Sequence, residues 1–348
     1  MLASPATRRP TTIDELIPAQ LAGALDSVDI ASRRIFPGKL QGERRSKARG
    51  RSVEFEDFRQ YVPGDDLRHI DWNVFARLDR FFIKIFQEEQ DLAVHLVLDA
   101  SASMDAGNPN KLLVAQRIAM ALGYSALAGN NRVAAWIFGG GGGTAAPGAS
   151  AGLRAMPAVR GKRAGQQLAR FIIDQTWPPP PASPVRDGPS PSAEQLAAGE
   201  FTTALKTIAR SRTGRGVVIV LSDFLIPPTP SGYAEGLTML AGGGSTPWDV
   251  VLLQVLSPGE LDPLSETDGH GGKIVLGDLR LTDVETGRVA EVTVTPDLVK
   301  SYLSRLESYQ RKLTEFAAQR GMTHLVVRSD ADVAKLVLDE LRKRGVVG

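Results

Sequence analysis

Asp99-Ala100-Ser101-Ala102-Ser103 is the segment of this chain whose residue types and spacing point most directly to chemistry. A carboxylate and two hydroxyls at two-residue intervals are hard oxygen donors, and one short loop can turn all three to a common point. Such a set suits Mg²⁺ or Mn²⁺, which take few protein ligands and keep several waters. A single carboxylate leaves the ion short of anionic oxygen, which a carboxylate from a partner protein would supply. The competing reading is an Asx-type turn that caps the following helix. Asp223 repeats the placement: it follows the apolar run Gly216–Leu221 through Ser222, as Asp99 follows VHLVL.

The elements around these residues decide whether they meet. From Asp91 onward the chain alternates short, solidly apolar runs with helical patterns. Strands are expected at Ala93–Leu98, Arg132–Phe138, Gly216–Leu221, Asp249–Leu256 and His324–Val327. Helices are expected at Lys111–Ala128, Leu168–Thr176, Thr202–Arg212, Tyr233–Leu240, Leu298–Arg320 and Ala331–Arg344, with a hairpin at Ile274–Val294 turning at Glu285-Thr286-Gly287. Continuous Val/Leu/Ile strands separated by helices indicate an α/β fold with a doubly wound, mainly parallel sheet covered on both faces. Ligands of such sheets gather at the carboxyl ends of the strands. If the two runs are neighbours, Asp99 and Asp223 come within reach of one ion.

Upstream, Thr12–Ile35 has a helical apolar pattern that Pro18 weakens, and Lys39–Arg51 is a basic run. The division expected is an N-terminal extension over 1–90, with its first ten or so residues disordered, and the sheet domain over 91–348. A Pro-rich insertion over 177–191 is assigned no structure. The formal net charge of +2 on 348 residues does not advertise nucleic-acid or membrane binding. With no cysteine, disulfides, thiolate metal sites and a cysteine nucleophile are all excluded. No apolar run reaches the ~18 residues that span a bilayer, and no hydrophobic stretch follows the arginines near the N-terminus. The expectation is a cytoplasmic protein without a transmembrane segment or a nucleic-acid partner.

Other candidates have duller explanations. Asp65, Asp66, His69 and Asp71 contain metal-ligand types, but Arg51, Arg59 and Arg68 compete for the carboxylates, so an ion-pair network with Trp72 packed inside is expected. Gly139–Thr144 lacks the lysine and the immediate helix of a phosphate loop and reads as a surface loop. The basic run lacks stacking aromatics and reads as a solvated face. Neither His95, in a core strand, nor His270, in a Gly-rich turn, has a nucleophile nearby in sequence. A metal-dependent phosphohydrolase with Asp99 as nucleophile would want a second aspartate at 101, where serine stands, and a lysine aimed at the site. Lys111 lies on a helix with no evident aim there.

The Asp99-x-Ser101-x-Ser103 segment, with Ser222-Asp223 after a later strand, resembles the metal-ion-dependent adhesion site of von Willebrand factor type A domains. Arg51-Ser-Val-Glu54-Phe55, Arg59-x-Tyr61-Val-Pro63-Gly64-Asp65-Asp66, Arg68-x-Ile70-Asp71-Trp72 and Glu88-Glu89 resemble the signature of the DUF58 family, whose members carry a von Willebrand A-like domain behind it. The resemblance covers about Gly42 to Asp330. It implies a non-catalytic binding or adaptor protein that works alongside a MoxR-type AAA+ ATPase in assembling or activating other complexes. It also implies a threonine ligand in a Gly-Thr-Asp segment before the Asp223 strand. This chain reads Gly199-Glu200-Phe201 there, so either Thr202 or Thr203 stands in with a small register change, or the site lacks one ligand and the protein is a scaffold that has lost its metal.

Overall fold

The computed structural model describes residues 9–32, 54–63, 67, 70–87, 92–139, 152–176, 193–211, 216–226, 232–242, 248–265, 275–282 and 289–348, with backbone alone at 54–59, 84–87 and 193–199. Two compact units form. Residues 39–91 make the smaller one, and residues 1–38 with 92–348 make the larger.

In the smaller unit, β1 (Glu54–Gln60) and β2 (Phe82–Gln87) pair antiparallel, with α3 (Trp72–Leu78) between them in sequence. The larger unit opens with α1 (Ile13–Leu16) and α2 (Ala19–Leu25). The single helix expected over Thr12–Ile35 is thus two short ones. Pro18, which has no N–H to donate and crowds the preceding turn, separates them, and Ile30 bridges to Val347 in extended form.

Next come β3 (Ala93–Asp99), α4 (Lys111–Ala128), β4 (Arg132–Phe138), β5 (Arg154–Arg160), α5 (Gly165–Thr176), α6 (Ala193–Arg210) and β6 (Gly216–Ser222). They are followed by α7 (Tyr233–Gly242), β7 (Trp248–Leu256), α8 (Pro258–Leu261), β8 (Gly277–Thr282), β9 (Val289–Val294), α9 (Pro296–Gln319) and β10 (Thr323–Arg328). The chain closes on α10 (Val333–Lys335), a π-turn over Leu336–Glu340 and α11 (Leu341–Lys343).

The six-stranded sheet runs β10-β7-β6-β3-β4-β5, parallel throughout except for β5. The fold is therefore α/β with a mostly parallel sheet and helices on both faces. β3 and β6 bury every residue, as two-sided cover requires. Val94, Leu96 and Leu98 face one core with α4 and α5, while Val97, Val218 and Val220 face the other with α6, α7 and α9. Each fully buried aliphatic side chain contributes roughly 1.5–3 kcal/mol. Gly123 lets α4 approach closely, since a Cβ there would stand 2.8 Å from Leu96 Cδ1 and 2.4 Å from Leu168 Cδ2.

The helices after β3 and β6 lie on opposite faces, so the crevice between these two strands is the topological switch point. Parallel register pairs Leu98 with Leu221, which places Ser222 beside Asp99 at the carboxyl edge.

Candidate functional site at the carboxyl edge of the sheet

Asp99 ends β3 and is 4% exposed. Its Oδ1 accepts the Ser101 amide at 2.9 Å, and its Oδ2 accepts the Ser222 hydroxyl at 2.6 Å. Ser222 Oγ in turn accepts the Phe224 amide at 3.0 Å. The Asx-type turn is therefore present, but Asp99 does not cap the next helix. Asn110 does, accepting from the Leu113 amide at 3.2 Å. Ser101 Oγ and Ser103 Oγ lie 3.1 Å apart, and both residues are half-buried. Gly139, at the end of β4, closes over this loop with φ +76°, and a Cβ there would stand 2.5 Å from the Ser101 nitrogen. Only glycine accepts that conformation and that approach without strain.

Asp223 is 3% exposed, and each of its oxygens is engaged. Oδ1 accepts the Leu225 amide at 3.1 Å and Oδ2 accepts Lys111 Nζ at 3.0 Å. Lys111, which the sequence left without an aim, points into the edge and is fully buried. Its second carboxylate is Glu260 Oε1 at 2.7 Å. Glu260 Oε2 accepts the Ser257 amide at 2.7 Å, half of a capping box at α8. One ammonium thus ties together the segments that follow β3, β6 and β7.

The charges do not balance. Burial first, and the neighbouring Asp223 charge second, push the Asp99 carboxyl up to about 7 against the opposing hydrogen bonds from Ser101 and Ser222. Burial pushes Lys111 down, but Asp223 and Glu260 outweigh it and leave the ammonium raised above the ordinary lysine value. Lys111 serves Asp223 and Glu260, and a divalent cation beside Asp99 would favour that carboxyl's ionised form.

The donor set fits such an ion. Two oxygens at right angles about Mg²⁺, each ~2.1 Å away, lie about 3.0 Å from one another, close to the observed 3.1 Å between the serine hydroxyls. Asp99, Ser101 and Ser103 are the residues that would hold it directly. Asp223 is committed to Lys111 and would act from the outer sphere. Thr202 falls in the middle of α6, where its hydroxyl donates to the Gly232 carbonyl at 3.0 Å. Among the described residues no cluster of three His, Cys, Asp or Glu side chains forms a metal site.

Residues 57–312 match the family described as "Protein of unknown function DUF58". The chain belongs to the DUF58 family. This DUF58 protein is 27% identical over 334 residues to the uncharacterized protein Rv1480 of Mycobacterium tuberculosis (strain ATCC 25618 / H37Rv), covering 94% of this chain and 92% of that one. It is 25% identical over 162 residues to the uncharacterized protein MAV169 of Mycobacterium avium, covering 45% of this chain and 85% of the relative. Among solved structures it overlaps the pilus adhesin SpaC of Lactobacillus rhamnosus GG with 10% identity and a TM-score of 0.35, over 75% of this chain and 31% of the adhesin. It also overlaps a point mutant of the PilB minor pilin of Streptococcus sanguinis, with 12% identity and a TM-score of 0.33, over 76% of this chain and 64% of the pilin. Overlaps this partial say nothing about what this chain binds.

The segments that resemble a DUF58 signature fall within the smaller unit. Asp71 serves there as a helix cap, accepting the Asn73 and Val74 amides at 2.8 and 3.1 Å. Trp72, expected inside, is 62% exposed and meets Phe75 and Phe81 edge-on. The described part of this unit, a two-stranded sheet and a two-turn helix, offers too little surface to enclose an indole. Tyr61 also packs edge-on against Phe81, and Pro63 stands in a turn. Gly64, Asp65, Asp66, Arg68, His69, Arg51, Glu88-Glu89 and the side chain of Arg59 lie outside the described residues. So do the basic run 39–51, the glycine loop from 140, the insertion 177–191, His270 and the 285–287 turn. His95 is a core residue, accepting Trp136 Nε1 at 3.1 Å, with its ring tilted 36° against that of Trp248 at 4.4 Å between centroids.

Lys111, Glu260 and Ser222 complete the edge without having been assigned as site residues. Lys111 carried a signal: a lysine in the first turn opposes the helix dipole, a conflict that only a local anion resolves. The capping-box spacing Ser257-x-x-Glu260 marked the second. No helix among the described residues is long and apolar enough to cross a membrane.

Proposed function

We propose that this DUF58 protein is a non-catalytic protein-binding module, von Willebrand A-like, that captures a partner's carboxylate through Mg²⁺ or Mn²⁺ held by Asp99, Ser101 and Ser103. The observation that carries this reading is a buried carboxylate with two convergent hydroxyls at the switch point, inside a cluster short of positive charge. The ion would supply a Lewis-acidic coordination position. The protein's part is to hold three oxygens in place, with Ser222 and Gly139 fixing the loop and Lys111 locking Asp223 and Glu260 behind it. A MoxR-type AAA+ ATPase in the cytoplasm is the partner we propose, in assembly or activation of protein complexes. The test is capture of a purified MoxR-type ATPase by this protein with Mg²⁺, with EDTA, and with Asp99→Ala. Capture lost in the last two arms supports the reading, and equal recovery in all three excludes cation dependence.

A metal-free scaffold is the second reading, favoured by Thr202 donating to Gly232 and by Asp223 being spent on Lys111. Heating with and without Mg²⁺ separates the two, because an ion bound only by the folded chain must raise its unfolding temperature. A phosphohydrolase gains little support. Lys111 does reach the edge, but it is enclosed between two carboxylates with no exposed surface to offer a phosphate.

A further inference from the structure

β8 and β9 form a two-stranded sheet of their own, each paired only with the other among the described residues. Such a ribbon is marginal in water unless a third strand or a packed layer supports it. Its register sorts the residues by face. Gly277 and Val294, Leu279 and Val292, and Leu281 and Ala290 share the apolar face. Asp278 and Thr293, Arg280 and Glu291, and Thr282 and Val289 share the other. Val294 is buried, but Leu281 is 38% exposed and Ala290 is exposed as well. Among the described residues, the ribbon therefore leaves part of its apolar face exposed and both strand edges without a further strand.

We propose that β8 is a self-association edge, pairing antiparallel with β8 of a second copy about a two-fold axis at Leu279 to make a four-stranded sheet β9-β8-β8-β9. In an antiparallel pair directly opposed residues share a face. Centring on Leu279 sets Leu279 against its counterpart and Asp278 against Arg280 of the other copy, twice. Charges then alternate across the sheet, from Glu291 through Arg280 to Asp278 of the second copy, where Thr293 already donates to the Asp278 carboxylate at 2.6 Å. Centring on Asp278 or Arg280 instead opposes like charges. In β9, centring on Glu291 does the same, and centring on Ala290 or Val292 brings no opposite charges together. Charges on an edge ordinarily discourage pairing, but this sequence of signs makes β8 complementary to itself.

Sedimentation of the full chain over a range of concentrations tests the proposal. The wild type is expected to be a concentration-dependent dimer. Asp278→Arg alone opposes two arginines and Arg280→Asp alone opposes two aspartates, so each should weaken association about tenfold or more. An equimolar mixture of the two single variants restores both charge pairs and should associate as the wild type does, and so should the double variant Asp278→Arg/Arg280→Asp. A wild type that stays monomeric at every soluble concentration overturns the proposal. So do single variants that dimerise as the wild type does, or a mixture and a double variant that both remain monomeric.

Discussion

Replacing Asp99 by asparagine tests the charge imbalance at the edge without changing its shape. Protonated Asp99 and asparagine each offer an acceptor to the Ser101 amide and a donor toward Ser222 Oγ, so the substitution imitates the acid form. The folded carboxyl is raised from 3.8 to about 7 by burial and by Asp223. Below about pH 4 the folded and unfolded chains both hold the proton and nothing is lost. Between there and about pH 7 the unfolded chain releases it first, so the wild type loses stability as the pH rises. The loss totals on the order of 4 kcal/mol once the folded group also ionises. Asparagine has no such dependence. Urea denaturation in EDTA, followed by the fluorescence of Trp136 and buried Trp248, should therefore find Asp99→Asn more stable than the wild type at pH 8 by a few kcal/mol. The advantage should fade toward pH 4. A variant less stable than the wild type at pH 8, or a difference that does not change with pH, would refute the reasoning.

Lys111→Met leaves Asp223 and Glu260 buried without their shared ammonium, and a loss of about 3–5 kcal/mol is expected in urea denaturation at pH 8. His324 is held down to about 4 by burial and by nearby Arg344. The stability it contributes is present above about pH 6.5 and drains as the pH falls toward 4. His324→Gln should remove a decline on the order of 2 kcal/mol over that window, seen by comparing denaturation midpoints of variant and wild type at pH 7 and pH 4.5.

The parallel core was legible because its strands are buried on both faces, which leaves solid runs such as VHLVL and GVVIVL in the sequence. β5 was not read as a strand. It is an antiparallel edge that carries Pro157, and it slips register between Met156 and Val159 opposite Val133 and Ala135. Edges and bulges are where a sheet tolerates proline, and neither leaves an apolar run. α6 begins at Ala193, well before the expected start at Thr202, so Gly199-Glu200-Phe201 is helix rather than loop and Phe201 packs between Phe138 and Phe224. The loop serines and strand-end aspartates were visible because they follow apolar runs directly. The Lys111–Glu260 contact was not, because it joins residues 149 positions apart in sequence.

Thermal unfolding of the full chain at pH 8 during titration with MgCl₂ or MnCl₂, wild type beside Asp99→Asn, bears most directly on the proposed cation site. The wild type should gain stability with added metal, about 2.7 kcal/mol when the ion stands at 100 times its dissociation constant, while the variant stays flat. A wild type indifferent to both metals, or a variant stabilised as much as the wild type, would contradict cation binding at Asp99.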